Sequence, residues 1–128
     1  MPRVLVVDDQ AEVRAIIAIV LRVQHFEIVE AASASEGLMA FEDSRFDIAI
    51  VDIFLQGKSG VDVIMAMRER TPDLPVVAIS GMTTLDFVSG SPELSNVVCL
   101  RKPFRPNELL RAIEAARESV REPAARVS

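Results

Sequence analysis

Three carboxylates, a hydroxyl and an ammonium each close an apolar run in this 128-residue chain. Asp8 and Asp9 follow "VLVV", Asp52 ends "FDIAIVD", Ser80 ends "LPVVAIS" and Lys102 ends "NVVCLRK". Adjacent like charges at the end of a buried strand repel each other and are costly unless something positive joins them. Clustered hard oxygen ligands suit Mg²⁺, which takes one or two carboxylates and keeps water or phosphate oxygens. A hydroxyl and an ammonium on the same rim would complete a pocket for a phosphoryl group. Transfer of that group needs mainly positioning and charge stabilisation.

The elements between these residues must bring them together. "RVLVV" is a short, β-branched apolar run of the kind buried on both faces of a parallel sheet. Val13, Ile16, Ile17, Val20 and Leu21 then fall on one helical stripe. "FEIVEA" reads as a second strand. Ser33 with Glu36 forms a capping box, opening a short helix with Leu38 and Phe41 on its apolar face. After the third strand, Gly57 and Gly60 lead to a helix carrying Val61, Ile64 and Met65. Strands four and five follow, and Pro106 opens a last helix through Leu109, Ile113, Ala116 and Val120. A strand–helix unit repeated five times predicts a doubly wound α/β fold with a parallel five-stranded sheet. In the flavodoxin-like order 2-1-3-4-5, strands one and three are neighbours. The acids then meet in the crevice beyond the carboxyl ends of the strands.

Composition agrees with this reading. The length suits one domain, spanning 1–120, with a short tail over 121–128. Half the residues are hydrophobic and the net charge is −5, with no basic run to bind nucleic acid directly. No apolar run reaches the roughly 20 residues of a membrane span. A single cysteine, Cys99, excludes an internal disulfide and points to a reducing cytoplasm. Asp9 with Glu12 also reads as a capping box, His25 as a solvated loop residue, and Met65 and Met67 as packing.

The segments "VLVVDDQAEVR", "DIAIVDIFLQGKSG", "VVAISG" and "LRKPFRPNEL" together resemble the response-regulator receiver domains of two-component signalling, from about Arg3 to Val120. The resemblance implies a CheY-like fold and a stand-alone receiver. Asp52 would accept a phosphoryl group from a phosphohistidine on a sensor kinase or a phosphotransfer protein. Asp9, Asp52 and the Phe54 carbonyl would ligate Mg²⁺, with Asp8 acting largely through water. Lys102 would neutralise the phosphoryl oxygens, Ser80 would hydrogen-bond them, and the N–H groups of Phe54 and Gly81 would complete the cradle. The Lys102–Pro103 peptide is often cis in such domains. The donor would dock over Ala11, Val13, Ile16, Pro103 and Phe104. The downstream target is not named by the sequence, and a homodimer is left open.

Some positions depart from the family pattern. Gln56 stands where a proline often follows the acceptor. Cys99 replaces an aromatic residue whose swing couples to the switch hydroxyl. Gly90, Ser91 and Pro92 should shorten or break the fourth helix, leaving 82–95 as the most mobile segment and its ordering as the readout. Phe54 and Met82 border the path of the water that would hydrolyse the acyl phosphate, and neither side chain can orient it. Two alternatives remain: an interaction module independent of phosphorylation, and an aspartyl phosphohydrolase. The second lacks the acid that such enzymes place two residues past the nucleophile, where Phe54 stands.

Overall fold

A computed structural model describes residues 1–81 and 96–121. The fourth helix expected to be shortened or broken by Gly90, Ser91 and Pro92, the mobile readout over 82–95, the place of Met82 and the tail after residue 121 lie outside the described residues. Five strands form one parallel sheet: β1 (Arg3–Val7), β2 (Glu27–Ala31), β3 (Ile48–Asp52), β6 (Val76–Ser80) and β7 (Val98–Arg101). Their order is β2-β1-β3-β6-β7, the 2-1-3-4-5 arrangement expected. All four pairings are parallel. The four described helices are α1 (Ala11–Val23), α2 (Ala34–Asp43), α3 (Gly60–Arg70) and α4 (Pro106–Arg121).

Strand periodicity builds two cores. Leu5, Val7, Ala49 and Val51 face Phe41 of α2 and Val63, Ile64 and Met67 of α3. Val4, Val6, Ile48 and Ile50 face Ile17 and Leu21 of α1 and Leu109, Ile113 and Ala116 of α4. Both faces of the sheet are thus covered, which is why the strand runs are continuously apolar rather than alternating. A fully buried Leu or Ile contributes about 1.5–3 kcal/mol, and Leu5, Ile48, Ile50 and Ile79 are fully buried.

The helix ends follow local chemistry, with corrections. Ser33 Oγ accepts the Glu36 N–H at 3.1 Å, as a capping box requires. Glu36 Oε1 accepts from Ala32 rather than from Ser33. The box proposed for Asp9 and Glu12 does not form: the N-cap of α1 is Gln10, without a side-chain cap bond. Asp9 is left exposed at the rim. The α1 stripe is also narrower than its spacing suggests. Ile17, Ala18 and Leu21 are buried, while Ile16 is half exposed. His25 is exposed as expected, yet it closes α1 at φ 66°. The His25 N–H reaches the Arg22 carbonyl and the Phe26 N–H the Leu21 carbonyl, a Schellman motif in which glycine is the usual residue. Met67 is buried and Met65 packs against the same core.

A feature absent from the sequence reading follows β3. Phe54–Leu55 (β4) and Lys58–Ser59 (β5) form a two-stranded antiparallel hairpin. Its loop is Gln56–Gly57, with Gly57 at φ 80°. The hairpin turns the chain sharply back, so α3 starts against the end of β3. The Gly60 N–H donates to the Ile53 carbonyl at 2.7 Å. A Cβ on Gly60 would collide with the Asp52 carbonyl.

Candidate functional site

The carboxyl ends of β1, β3, β6 and β7 are held level by hydrogen bonds one step beyond the strands. Asp8 N–H donates to Ala31 O at 3.1 Å, Ile53 N–H to Ile79 O at 2.9 Å and Lys102 N–H to Ser80 O at 2.7 Å. These bonds carry the acids, the hydroxyl and the lysine to one rim. Asp8 is fully buried and Asp52 is 4% exposed, whereas Asp9 is exposed. One oxygen from each of Asp8, Asp9 and Asp52 lies within 4.8 Å of the others.

Lys102 is the cation against them. Its Nζ lies 2.9 Å from Asp52 Oδ2 and 3.1 Å from Asp8 Oδ2. It donates to Asp52 Oδ2 and, at 2.9 Å, to Gln10 Oε1. The approach to Asp8 is an ion pair without hydrogen-bond alignment, so Asp8 Oδ2 is buried with no hydrogen bond among the described residues. The other Asp8 oxygen accepts the Gln10 N–H at 2.8 Å. Phe54 N–H donates to Asp52 Oδ1 at 2.9 Å.

Burial pushes the Asp52 carboxyl pKa up. The Lys102 and Phe54 hydrogen bonds pull it down, the Asp8 charge raises it again, and the net is upward. Burial alone would lower the Lys102 ammonium, but its bonds and proximity to Asp52 and Asp8 outweigh this and hold it above the ordinary lysine value. Lysine therefore stays charged, while the acid beside it is under-compensated. Three carboxylates against one ammonium leave a local excess of negative charge that a divalent cation would balance. The donor set is all oxygen and includes a buried carboxylate oxygen, Asp8 Oδ2, that has the Lys102 ion pair but no aligned hydrogen bond among the described residues. These residues fit Mg²⁺.

The remaining expected residues distribute as follows. Ser80 is buried at the end of β6 and Gly81 is exposed just beyond it. Phe54 is 56% exposed. The Lys102–Pro103 peptide is cis. Val13, Ile16, Lys102, Pro103 and Phe104 line a groove of about 330 Å³ beside the acids. Ala11 is exposed on the adjoining turn of α1 and does not line that groove. Cys99 is only half-buried, and burial raises its thiol pKa.

Two participants were missed in the sequence. Gln10 bridges the acid loop to Lys102, and Arg14 Nη1 donates to the Asp8 carbonyl at 2.6 Å while its Nε bonds Glu30. Both lie in "DDQAEVR", and Arg14, on the first turn of the helix, was close enough to the acids to be suspected.

Comparison with known proteins bears on this geometry. The family model described as "Response regulator receiver domain" matches residues 4–114. The DNA-binding response regulator MtrA of Mycobacterium tuberculosis (strain H37Rv) is 33% identical over 114 residues, 88% of this chain and 49% of MtrA. The transcriptional regulatory protein PrrA of Mycobacterium bovis is 34% identical over 114 residues, 89% of this chain and 49% of PrrA. The chain thus spans about half the length of the curated relatives it matches. Among solved structures, a CheY-like receiver domain protein from Methanospirillum hungatei JF-1 superimposes with a TM-score of 0.85 at 27% identity, covering 95% of this chain and 98% of that one. The chemotaxis protein CheY4 of Vibrio cholerae gives 0.83 at 25% identity, covering 91% and 98%.

Proposed function

The chain belongs to the response regulator receiver domain family, and from that premise we propose that its unit over residues 1–120 takes a phosphoryl group onto Asp52 from a phosphohistidine of a sensor kinase or phosphotransfer protein. The family is a signalling module rather than a turnover enzyme, so the phosphoryl group is the message. The carrying observation is the place of Asp52. It is nearly buried, oriented through both oxygens by Phe54 N–H and Lys102 Nζ, and set among two further acids.

In the transfer, an Asp52 carboxylate oxygen attacks phosphorus. An oxygen–phosphorus bond forms, the phosphorus–nitrogen bond breaks, and its electron pair remains on the donor imidazole, which takes up a proton. Bound Mg²⁺, held by Asp9, Asp52 and the Phe54 carbonyl with Asp8 nearby, would supply the positive charge that offsets repulsion between carboxylate and phosphoryl oxygens. Lys102 then pairs with a phosphoryl oxygen in place of the neutralised Asp52 oxygen. Ser80, at the end of the adjacent strand, hydrogen-bonds another, and the Phe54 and Gly81 N–H groups take the rest. The groove of Val13, Ile16, Pro103 and Phe104 gives the donor an apolar seat beside the acceptor.

Labelling with acetyl phosphate tests this. Intact mass should rise by one phosphoryl group in the presence of Mg²⁺, and the gain should vanish with Asp52→Asn and on chelation. Labelling that persists in Asp52→Asn, or that ignores chelation, would overturn the assignment.

A further inference from the structure

The outermost line of α1 is the wrong chemistry for a helix facing water. At 3.6 residues per turn, Glu12, Ile16, Ile19 and Val23 fall within roughly 60° of one another. They lie opposite the buried Ile17, Ala18 and Leu21. Charged and polar residues are expected there, yet Ile16, Ile19 and Val23 are 51%, 64% and 69% exposed. They account for three of the six large apolar side chains exposed among the described residues.

The line is also symmetric. Ile16 and Ile19 are equally distant from the midpoint between Ile17 and Ala18, and so are Glu12 and Val23. A twofold contact requires a surface complementary to itself. If two α1 helices cross antiparallel at that midpoint, Ile16 meets the partner's Ile19 at the centre. Glu12 then falls beside the partner's Val23, next to the partner's Arg22. Glu12 and Arg22 are both exposed and have no ion pair among the described residues. The free charges therefore sit at opposite ends of the apolar line, where an antiparallel pair brings unlike charges together and a parallel pair does not. We propose that a second copy of this chain covers the outer face of α1 in a twofold, antiparallel contact.

Each copy contributes one helix of 13 residues, about 20 Å long. Such a contact falls in the small, transient class of interfaces, so association should be seen between about 10 µM and about 1 mM. Ile16 also lines the groove beside Lys102. The self-associated form therefore hides part of the seat proposed for the phosphoryl donor, and only the monomer is open to it.

The test uses unphosphorylated protein without metal, so its result is independent of the chemistry proposed for Asp52. Sedimentation equilibrium should show reversible dimerisation. Ile19→Glu should weaken it more than about tenfold, because a charge would enter the apolar seam. The melting temperature should not change, since that side chain is exposed. Glu12→Arg and Arg22→Glu should each weaken association by about twofold to fivefold, and the double charge swap should restore it. Three results would each overturn the proposal: a protein monomeric over the whole range, a dimer indifferent to Ile19→Glu, or a swap that fails to rescue. A monomer in which Ile19→Glu instead slows transfer from a phosphohistidine donor would assign the face to that donor.

Discussion

Gly60→Ala is the substitution that most directly tests how the fold holds the acceptor. Gly60 begins α3 and donates its N–H to Ile53 O. A Cβ there would lie 2.7 Å from both the Asp52 carbonyl carbon and Ile53 Cα, and closer still to the Asp52 oxygen. Carbon contacts are comfortable at about 3.5–4.0 Å, so the overlap is on the order of 1 Å. None of these atoms is the free end of a side chain. All are backbone at the end of β3, tied to β6 through the Ile53–Ile79 bond. Overpacking of this kind typically costs 1–3 kcal/mol, and a rigid neighbour places it near the top. Alanine's better helix propensity returns less than about 1 kcal/mol. With an unfolding entropy of about 0.27 kcal/mol/K for a chain of this length, a loss of about 3 kcal/mol lowers Tm by roughly 10 °C. The displaced backbone is that of Asp52 itself, and a misplacement near 1 Å can cost about a hundredfold in rate. Thermal melting and acetyl-phosphate labelling of the folded fraction are the assays. Gly81→Ala is the control for the melting assay, since a Cβ at that glycine meets nothing within 4 Å among the described residues. A Gly60→Ala protein that melts within 2–3 °C of wild type (a shift under about 1 kcal/mol) and labels normally would refute the close-approach reasoning.

Asp52→Asn should stabilise the metal-free protein at neutral pH. Burial raises the folded-state pKa of Asp52, so ionisation costs stability as pH rises through that value; denaturant melts across pH should show the gain shrinking below the ordinary carboxylate range. His25→Gly should stabilise by a few tenths to about 1 kcal/mol, because relief of the left-handed backbone exceeds glycine's unfolded-state entropy; an unchanged urea midpoint would argue that the end of α1 is unstrained. Phosphorylated Asp52 should decay slowly once the donor is removed, and Phe54→Asn, which supplies an amide able to orient water, should shorten its lifetime by about tenfold or less, since full general-base help is worth more; rapid decay in the wild type would show that the exposed Phe54 ring leaves the water path open.

The sequence by itself determined the alternation of strands and helices and the carboxyl-end placement of Asp8, Asp9, Asp52, Ser80 and Lys102. Both are one-dimensional signals: periodicity of burial, and which residue closes each apolar run. Their convergence also followed, because parallel strands joined by crossover helices leave the carboxyl ends on one side of the sheet. Tertiary structure decided what depends on which neighbour is nearest. Ile16 and Ile17 are alike in composition, yet one is covered by the sheet and the other faces water, since the angle of α1 against β1 sets the buried arc. Asp9 lost its capping role to the backbone path at Gln10, and the Gln10 amide gained Lys102 from a segment 92 residues away. Gly60 looked like loop punctuation. Only the β4–β5 hairpin, which folds α3 back onto β3, shows that a side chain there would occupy the space of the Asp52 backbone. Helical and strand periods report which face is apolar. They carry no information about distances between elements, and in this protein those distances hold Asp52 against Lys102.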